Sequence, residues 1–166
     1  QELNLRNCKI GTEGGKALAA GLAGNAVLTS LDLSRNQLCG LDVEGEGTYD
    51  ASGITALSEA LKVTASLTAI GEGGLDLRGN HIGEEGWATI IEAVCSSTVS
   101  KITSIDASGE RLGSTGAKLI AEALRASVNG SITSVRTPAH PNFATSIFAY
   151  SLLCMPCSST SLIIGS

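Results

Sequence analysis

Aromatic and charged residues are both scarce in this chain. Trp, Tyr and Phe together account for five of the 166 residues, while 43% of the residues are hydrophobic, so an aliphatic core is expected. Only 16% of the residues are charged, the net charge is -5, and Lys and Arg form no cluster. Because phosphate contacts need clustered basic residues, no nucleic-acid surface is expected and a membrane surface is not favoured. A chain of this length is expected to form one domain.

Catalytic signatures are also missing. His81 and His140 have no nucleophile or carboxylate at a recurring spacing, which leaves no candidate for acid–base or nucleophilic chemistry. Residues 11–16 resemble a phosphate-binding loop, but such a loop needs Gly where Ile10 stands and Ser or Thr where Ala17 stands. The sequence therefore predicts no enzyme activity, no catalytic residue, no metal and no cofactor.

What the chain does contain is a recurring apolar phrase. In residues 28–38 it reads L-T-S-L-D-L-S-R-N-Q-L, and a segment with apolar residues at its second, fifth, eighth and ninth places follows at 53–61. The alternation predicts a strand with one buried face, and the wider spacing predicts one stripe of a helix. Strands are expected near residues 31–33, 75–77 and 102–108, and helices near 14–22, 53–61, 86–94 and 116–124.

The spacing of these phrases predicts units that stack. Leu3 and Leu31 lie 28 residues apart, whereas Leu31 and Leu75 lie 44 apart, which indicates insertions of 11 residues after Leu38 and 5 before Leu75. A unit this short cannot bury its own apolar face and must pack on its neighbours. The glycine-rich residues 71–74 are interpreted as a bulge before the Leu75 strand.

One polar place follows each strand and holds Cys8, Asn36, Asn80 and Glu110. A buried Asn amide both donates and accepts, so it can satisfy backbone groups that the turn out of a strand leaves unpaired. Together, the strand phrase, this polar place and the helical segment resemble the leucine-rich repeat family. The resemblance is to the ribonuclease-inhibitor-like subtype, also found in NOD-like receptors and Ran GTPase-activating proteins. Glu110 departs from the family pattern.

The resemblance implies an α/β fold: a curved leucine-rich repeat solenoid with parallel strands on the concave face and helices on the convex face. Residues 1–136 would form this domain, with about four repeats and a truncated fifth. It further implies a non-catalytic protein–protein interaction module, a scaffold fragment of a larger protein; the alternative is a GTPase-activating protein of the Ran-activator type. The odd number of cysteines, five, favours a reduced, cytoplasmic location.

Two surfaces are candidate sites for a protein partner of unknown identity. The concave face would contribute outward-pointing strand residues, and Asn4, Asp32, Asp76, Asp106 and Arg136 are expected to form one column across it. The concave-face candidates are Arg6, Asp32, Arg35, Asp76, Arg78 and Asp106. The candidates in the first insertion are Asp42, Glu44, Glu46 and Tyr49. This insertion also imitates a calcium loop, but Gly53 stands where a bidentate Glu is required, so a solvated acidic loop is favoured.

Residues 137–166 form a non-repeat tail without Lys, Arg, Asp or Glu, and they hold all three prolines. Three interpretations remain open: a membrane span that Pro156 would interrupt, an apolar cap on the last repeat, and a disordered, non-native translation product. Cys154 and Cys157 have the spacing of a zinc or redox site, but a second such pair is missing and coincidence is favoured.

Overall fold

The computed structural model describes residues 1–42, 44–110, 112–127, 132–137 and 161–164. Over these ranges the chain forms four helices and seven strands. The helices are α1 (Thr12–Ala23), α2 (Ser52–Leu61), α3 (Gly83–Ser96) and α4 (Ser114–Arg125). The strands are β1 (Glu2–Asn4), β2 (Ser30–Asp32), β3 (Ala69–Ile70), β4 (Leu75–Asp76), β5 (Ser104–Asp106), β6 (Ser134–Thr137) and β7 (Ser161–Ile164).

The strands form one sheet in the order β1-β2-β4-β3-β5-β6-β7. Every pair of neighbours is parallel, which confirms the predicted strand direction and the α/β class. All four predicted helices are present. Helix α2 begins one residue earlier than expected, and the other three begin two or three residues earlier. The sheet is open, with β1 and β7 at its edges, and the curvature of a solenoid stays a prediction.

The core lies between the sheet and the helices. Leu31 and Leu33 are 2% and 0% exposed, as the alternation in their strand predicts. On α2 the predicted stripe of Ile54, Leu57, Ala60 and Leu61 is buried in the same cluster. Glu59, Glu92 and Glu122 are exposed on the opposite side of their helices, also as predicted. These faces form one core because each repeat buries its apolar side against its neighbours.

The insertion before Leu75 adds a strand rather than a bulge, so the predicted bulge is wrong. Strand β3 pairs with β5 through Ile70 and Ile105, while β4 pairs with β2 through Leu75 and Leu31. The two strands also pair with each other, Ile70 opposite Leu75. One repeat therefore occupies two places in the sheet, and residues 71–74 form the tight turn between them.

The two asparagines at the polar place after the strands satisfy buried backbone groups, as predicted. Asn36 Oδ1 accepts from the N–H groups of Cys8 and Ile10 at 3.0 Å each, and its Nδ2 donates to the Leu5 and Leu33 carbonyls at 2.9 Å. Asn80 repeats the arrangement one repeat further on, donating to the Leu33 and Leu77 carbonyls at 2.9 and 2.8 Å. Both side chains are fully buried.

Glu110 occupies the corresponding place in the next repeat, beside the buried Trp87. Burial raises the pKa of the Glu110 carboxyl, although the Trp87 indole, the Gly79 backbone and the charge of His81 each favour ionisation. The Trp87 Nε1 nonetheless has no partner with good hydrogen-bond geometry. An ionised carboxylate cannot donate to backbone carbonyls as an Asn amide does. The series of side-chain amides that bond to the backbone, Asn36 and Asn80, therefore does not continue at Glu110.

Part of the predicted tail continues the sheet. Strand β7 pairs with β6 in parallel register, from Ser134 opposite Ser161 to Thr137 opposite Ile164. The remaining tail positions, including Cys154 and Cys157, lie outside the described residues, and the boundary at residue 136 stays a prediction. Within the described ranges, none of the helices has the length and apolar character needed to span a bilayer.

Candidate partner-binding site

The side of the sheet that faces away from the helices carries polar and charged side chains. We call it the polar sheet face, defined by Asn4, Arg6, Asp32, Asp76, Arg78, Asp106 and Arg136. Four of these residues stand at the end of a strand and share one contact. The side-chain oxygens of Asn4, Asp32, Asp76 and Asp106 each accept the backbone N–H two residues further on, at 2.9 to 3.1 Å. Such contacts turn the chain out of a strand, so this column has a structural role that sequence reasoning missed.

Asp76 is engaged beyond this turn. Its carboxylate accepts from Arg78 Nε at 3.0 and 3.2 Å and from Arg78 Nη2 at 2.5 Å, and its side chain is only 7% exposed. Burial alone would raise the pKa of Asp76, but the hydrogen bonds and charge of Arg78, with a contribution from Arg6, lower it overall. Asp76 is thus an internal ion-pair partner, while Arg78, 41% exposed, is the member that solvent reaches.

The expected column is interrupted. Asp32 and Asp76 lie side by side in register, as do Asp106 and Arg136, but β3 stands between Asp76 and Asp106. The prediction of one continuous column is therefore wrong at this point. Arg136 Nη1 lies 3.5 Å from Asp106 Oδ2, and both side chains keep substantial exposure, so this pair is looser than the pair at Asp76.

Arg6 and Arg35 are the most accessible concave-face candidates. Both are exposed, and Arg35 adopts a left-handed backbone with φ of 55° at the turn that follows β2. Asp32 keeps one carboxylate oxygen in contact with the Ser34 N–H and hydroxyl, at 2.9 and 2.6 Å. These positions are compatible with partner contacts, but their role in binding stays a prediction.

Two hollows lie on the polar sheet face, one on each side of residues 71–74. Each has a volume of about 230 Å³. Glu72 lines both of them, because the turn that carries it stands at their common border. The first hollow extends over β1, β2 and β4, and the second extends over β3, β5 and β6. The insertion before Leu75 thus gives this face two compartments.

The first insertion is a small closed loop. Asp42 Oδ1 accepts from the backbone N–H groups of Glu44 and Glu46 at 3.1 and 2.8 Å, and Leu41 forms an antiparallel bridge with Gly47. Asp42 would have been the first calcium ligand, yet its carboxylate contacts its own loop. Over the described ranges, no three His, Cys, Asp or Glu residues are grouped so as to hold a metal ion.

Tyr49 attaches this loop to the next repeat. Its hydroxyl donates to the Ile82 carbonyl at 2.7 Å, at the turn where α3 begins, and the residue remains 45% exposed. Burial of the hydroxyl, followed by the proximity of Cys39 and Glu85, raises the pKa of Tyr49. Glu44 and Glu46 are exposed, so three of the four candidates in this loop are accessible to a partner.

Comparison with known proteins agrees with the repeat architecture. A search among curated proteins returned no match. Residues 1–19 and 24–40 match a family model described as a leucine-rich repeat. These two stretches contain β1 with the start of α1, and β2 with the buried Asn36. The matches, together with the parallel sheet and its helices, support a leucine-rich repeat protein.

Proposed function

We propose that this chain is a non-catalytic protein–protein interaction module and that a partner protein binds its polar sheet face. The single observation that carries the proposal is that charged side chains remain accessible on several strands of this face, with Arg6 beyond β1, Arg78 beyond β4 and Arg136 on β6. Charges repeated at strand spacing provide several contacts in series to one partner, which favours fast and specific association. Leucine-rich repeat domains generally mediate such interactions, and the family matches support that assignment.

The finer assignment is to a scaffold within a larger cytoplasmic protein of the ribonuclease-inhibitor-like subtype. The spacing of 28 residues between Leu3 and Leu31, with a helix of 12 residues between their strands, supports this subtype. A curved solenoid would turn the polar sheet face into a concave surface. Among the described residues, no observation favours the GTPase-activating alternative over binding alone.

The experiment is affinity capture with the chain as bait, followed by measurement of binding to each captured protein after purification. Arg6→Glu reverses an exposed charge on the polar sheet face. Lys118→Glu is the control, because it makes the same change of charge at an exposed position of helix α4. We expect Arg6→Glu to change the association rate and its salt dependence, with the direction set by the charge of the partner, since exposed interface charges act mainly on association rate. Asp76 is unsuitable for this test because its replacement would leave Arg78 without its ion-pair partner.

Circular dichroism of both variants verifies that they remain folded. A partner that binds the Arg6→Glu variant normally but loses affinity for the Lys118→Glu variant would place the interface on the helices and refute the proposal. A partner that tolerates both changes but requires Glu44 and Glu46 would place the interface on the first insertion.

A further inference from the structure

We propose that residues 71–74 divide the polar sheet face into two subsites, each of which accepts one basic side chain of an extended partner segment. This inference rests on the proposed function and adds to it the chemistry and spacing of the partner. It follows from the geometry of the turn, from the charges in the two hollows and from the distance between them.

The turn is tightly built and holds Glu72 at its exposed crest. The Gly71 N–H donates to the Leu75 carbonyl at 2.8 Å, and the Gly74 N–H donates to the Gly71 carbonyl at 3.1 Å. Gly71 has a φ of 126°, and a Cβ at Gly74 would lie 2.1 Å from the Ala69 carbonyl oxygen. These positions therefore require glycine, and the crest has one defined place between the hollows.

Both hollows favour a cation. In the first, the pair of Asp76 and Arg78 is internally neutral, which leaves Arg6 outnumbered by the remaining carboxylates. Those carboxylates are Glu2, Asp32 and Glu72. In the second hollow, Glu72 and Asp106 face Arg136 alone.

The contact of 3.5 Å between Arg136 and Asp106 is long for a hydrogen bond, so the partly exposed Asp106 carboxylate keeps the capacity to accept from a second guanidinium. Arginine suits such a site because its planar fork of donors matches a carboxylate in a bidentate manner. Glu72 belongs to both hollows, so its charge favours a cation on either side of the crest.

The order of the strands sets the distance between the subsites. The first hollow is centred on β2 and the second on β5, and two strands, β4 and β3, lie between them. Three steps of about 4.8 Å place the two centres about 14 Å apart. An extended chain advances about 3.3 Å per residue, so about four residues cover this distance. The fitting segment is Arg-x-x-x-Arg, with small residues where it crosses the Glu72 crest.

The probes are synthetic peptides of nine residues, built from Gly and Ser, with two arginines separated by three residues, two arginines separated by one residue, or a single arginine. Binding to the full chain is measured at low salt by the change of its backbone NMR signals. We expect the three-residue spacing to bind roughly two- to fivefold more tightly than either comparison peptide, as a second exposed ionic contact would provide. Glu72→Gln should remove this preference, and Glu92→Gln on α3 should leave it unchanged.

Equal affinity for all three peptides, no binding by any of them, or equal effects of the two substitutions would overturn the inference. Glu72 is exposed, so its replacement is not expected to disturb the fold. The proposed function fails separately: if Arg6→Glu changes binding of a captured partner while the peptides show no spacing preference, the interaction face stands and the two-subsite inference falls.

Discussion

Replacement of Asn36 by Ala tests the physical basis of the repeat stack. The side chain is fully buried and makes four hydrogen bonds of 2.9 to 3.0 Å to the backbone of two adjacent repeats. The Leu33 carbonyl would retain the Asn80 amide as a partner, and water can reach the exposed Cys8. The cost therefore falls mainly on two half-buried groups, the Ile10 N–H and the Leu5 carbonyl.

An unsatisfied buried polar group costs about 1–3 kcal/mol, and partial exposure places these two near the lower limit. We therefore expect Asn36→Ala to lower the free energy of unfolding by about 2–3 kcal/mol. Asn36→Asp should cost more at neutral pH, because a buried carboxylate would face two carbonyl oxygens. Part of that loss should be recovered at low pH, where the protonated acid regains one donor.

The assay is urea denaturation followed by circular dichroism and by the fluorescence of Trp87, the single tryptophan, which is 1% exposed. Two probes are needed because the units of a repeat protein can unfold separately. Glu92→Ala, at an exposed helix position, is the control and should lie within about 0.5 kcal/mol of the unsubstituted chain. A similarly small effect of Asn36→Ala, or equal losses for Ala and Asp at neutral pH, would refute the backbone role of this amide.

Glu110, the buried cysteines and Tyr49 each provide a further test. Since burial raises the pKa of Glu110, the free energy of unfolding should fall as pH rises through that pKa. Glu110→Gln should remove this decline, and the stability advantage of the variant should disappear below about pH 4, where the carboxyl of the unfolded chain is also protonated. Urea midpoints at several pH values would show both effects. Burial raises the pKa of Cys39 to about 12 and of Cys95 to about 11, so iodoacetamide at pH 7 should label the exposed Cys8 well before either, as peptide mass spectrometry would show. Tyr49→Phe should lower the free energy of unfolding by about 1 kcal/mol through loss of the bond to Ile82, whereas an unchanged urea midpoint would mean that the insertion is not attached there.

Local pattern was sufficient to predict the units of this fold. Alternation around Leu31 and the helical stripe through Leu57 each specify which face must be buried, and the recurrence of both specifies that the units stack. The role of Asn36 could also be predicted, because few side chains can satisfy both donors and acceptors of a buried turn. These properties depend on neighbours in the sequence or on repetition of the same unit, so they can be predicted from the sequence alone.

Only the tertiary structure decided which strands are neighbours and which charges remain accessible. The extra strand β3 pairs with β5 and separates Asp76 from Asp106, although their repeats are consecutive in the chain. Asp76 appears in the sequence as one more outward carboxylate, yet burial and the bidentate contact with Arg78 remove it from the accessible surface. Pairing and exposure depend on groups brought together by folding, and the sequence alone does not specify those distances. The repeat could therefore be predicted from the sequence, whereas the two compartments of the polar sheet face are determined only by the pairing of the strands in the folded sheet.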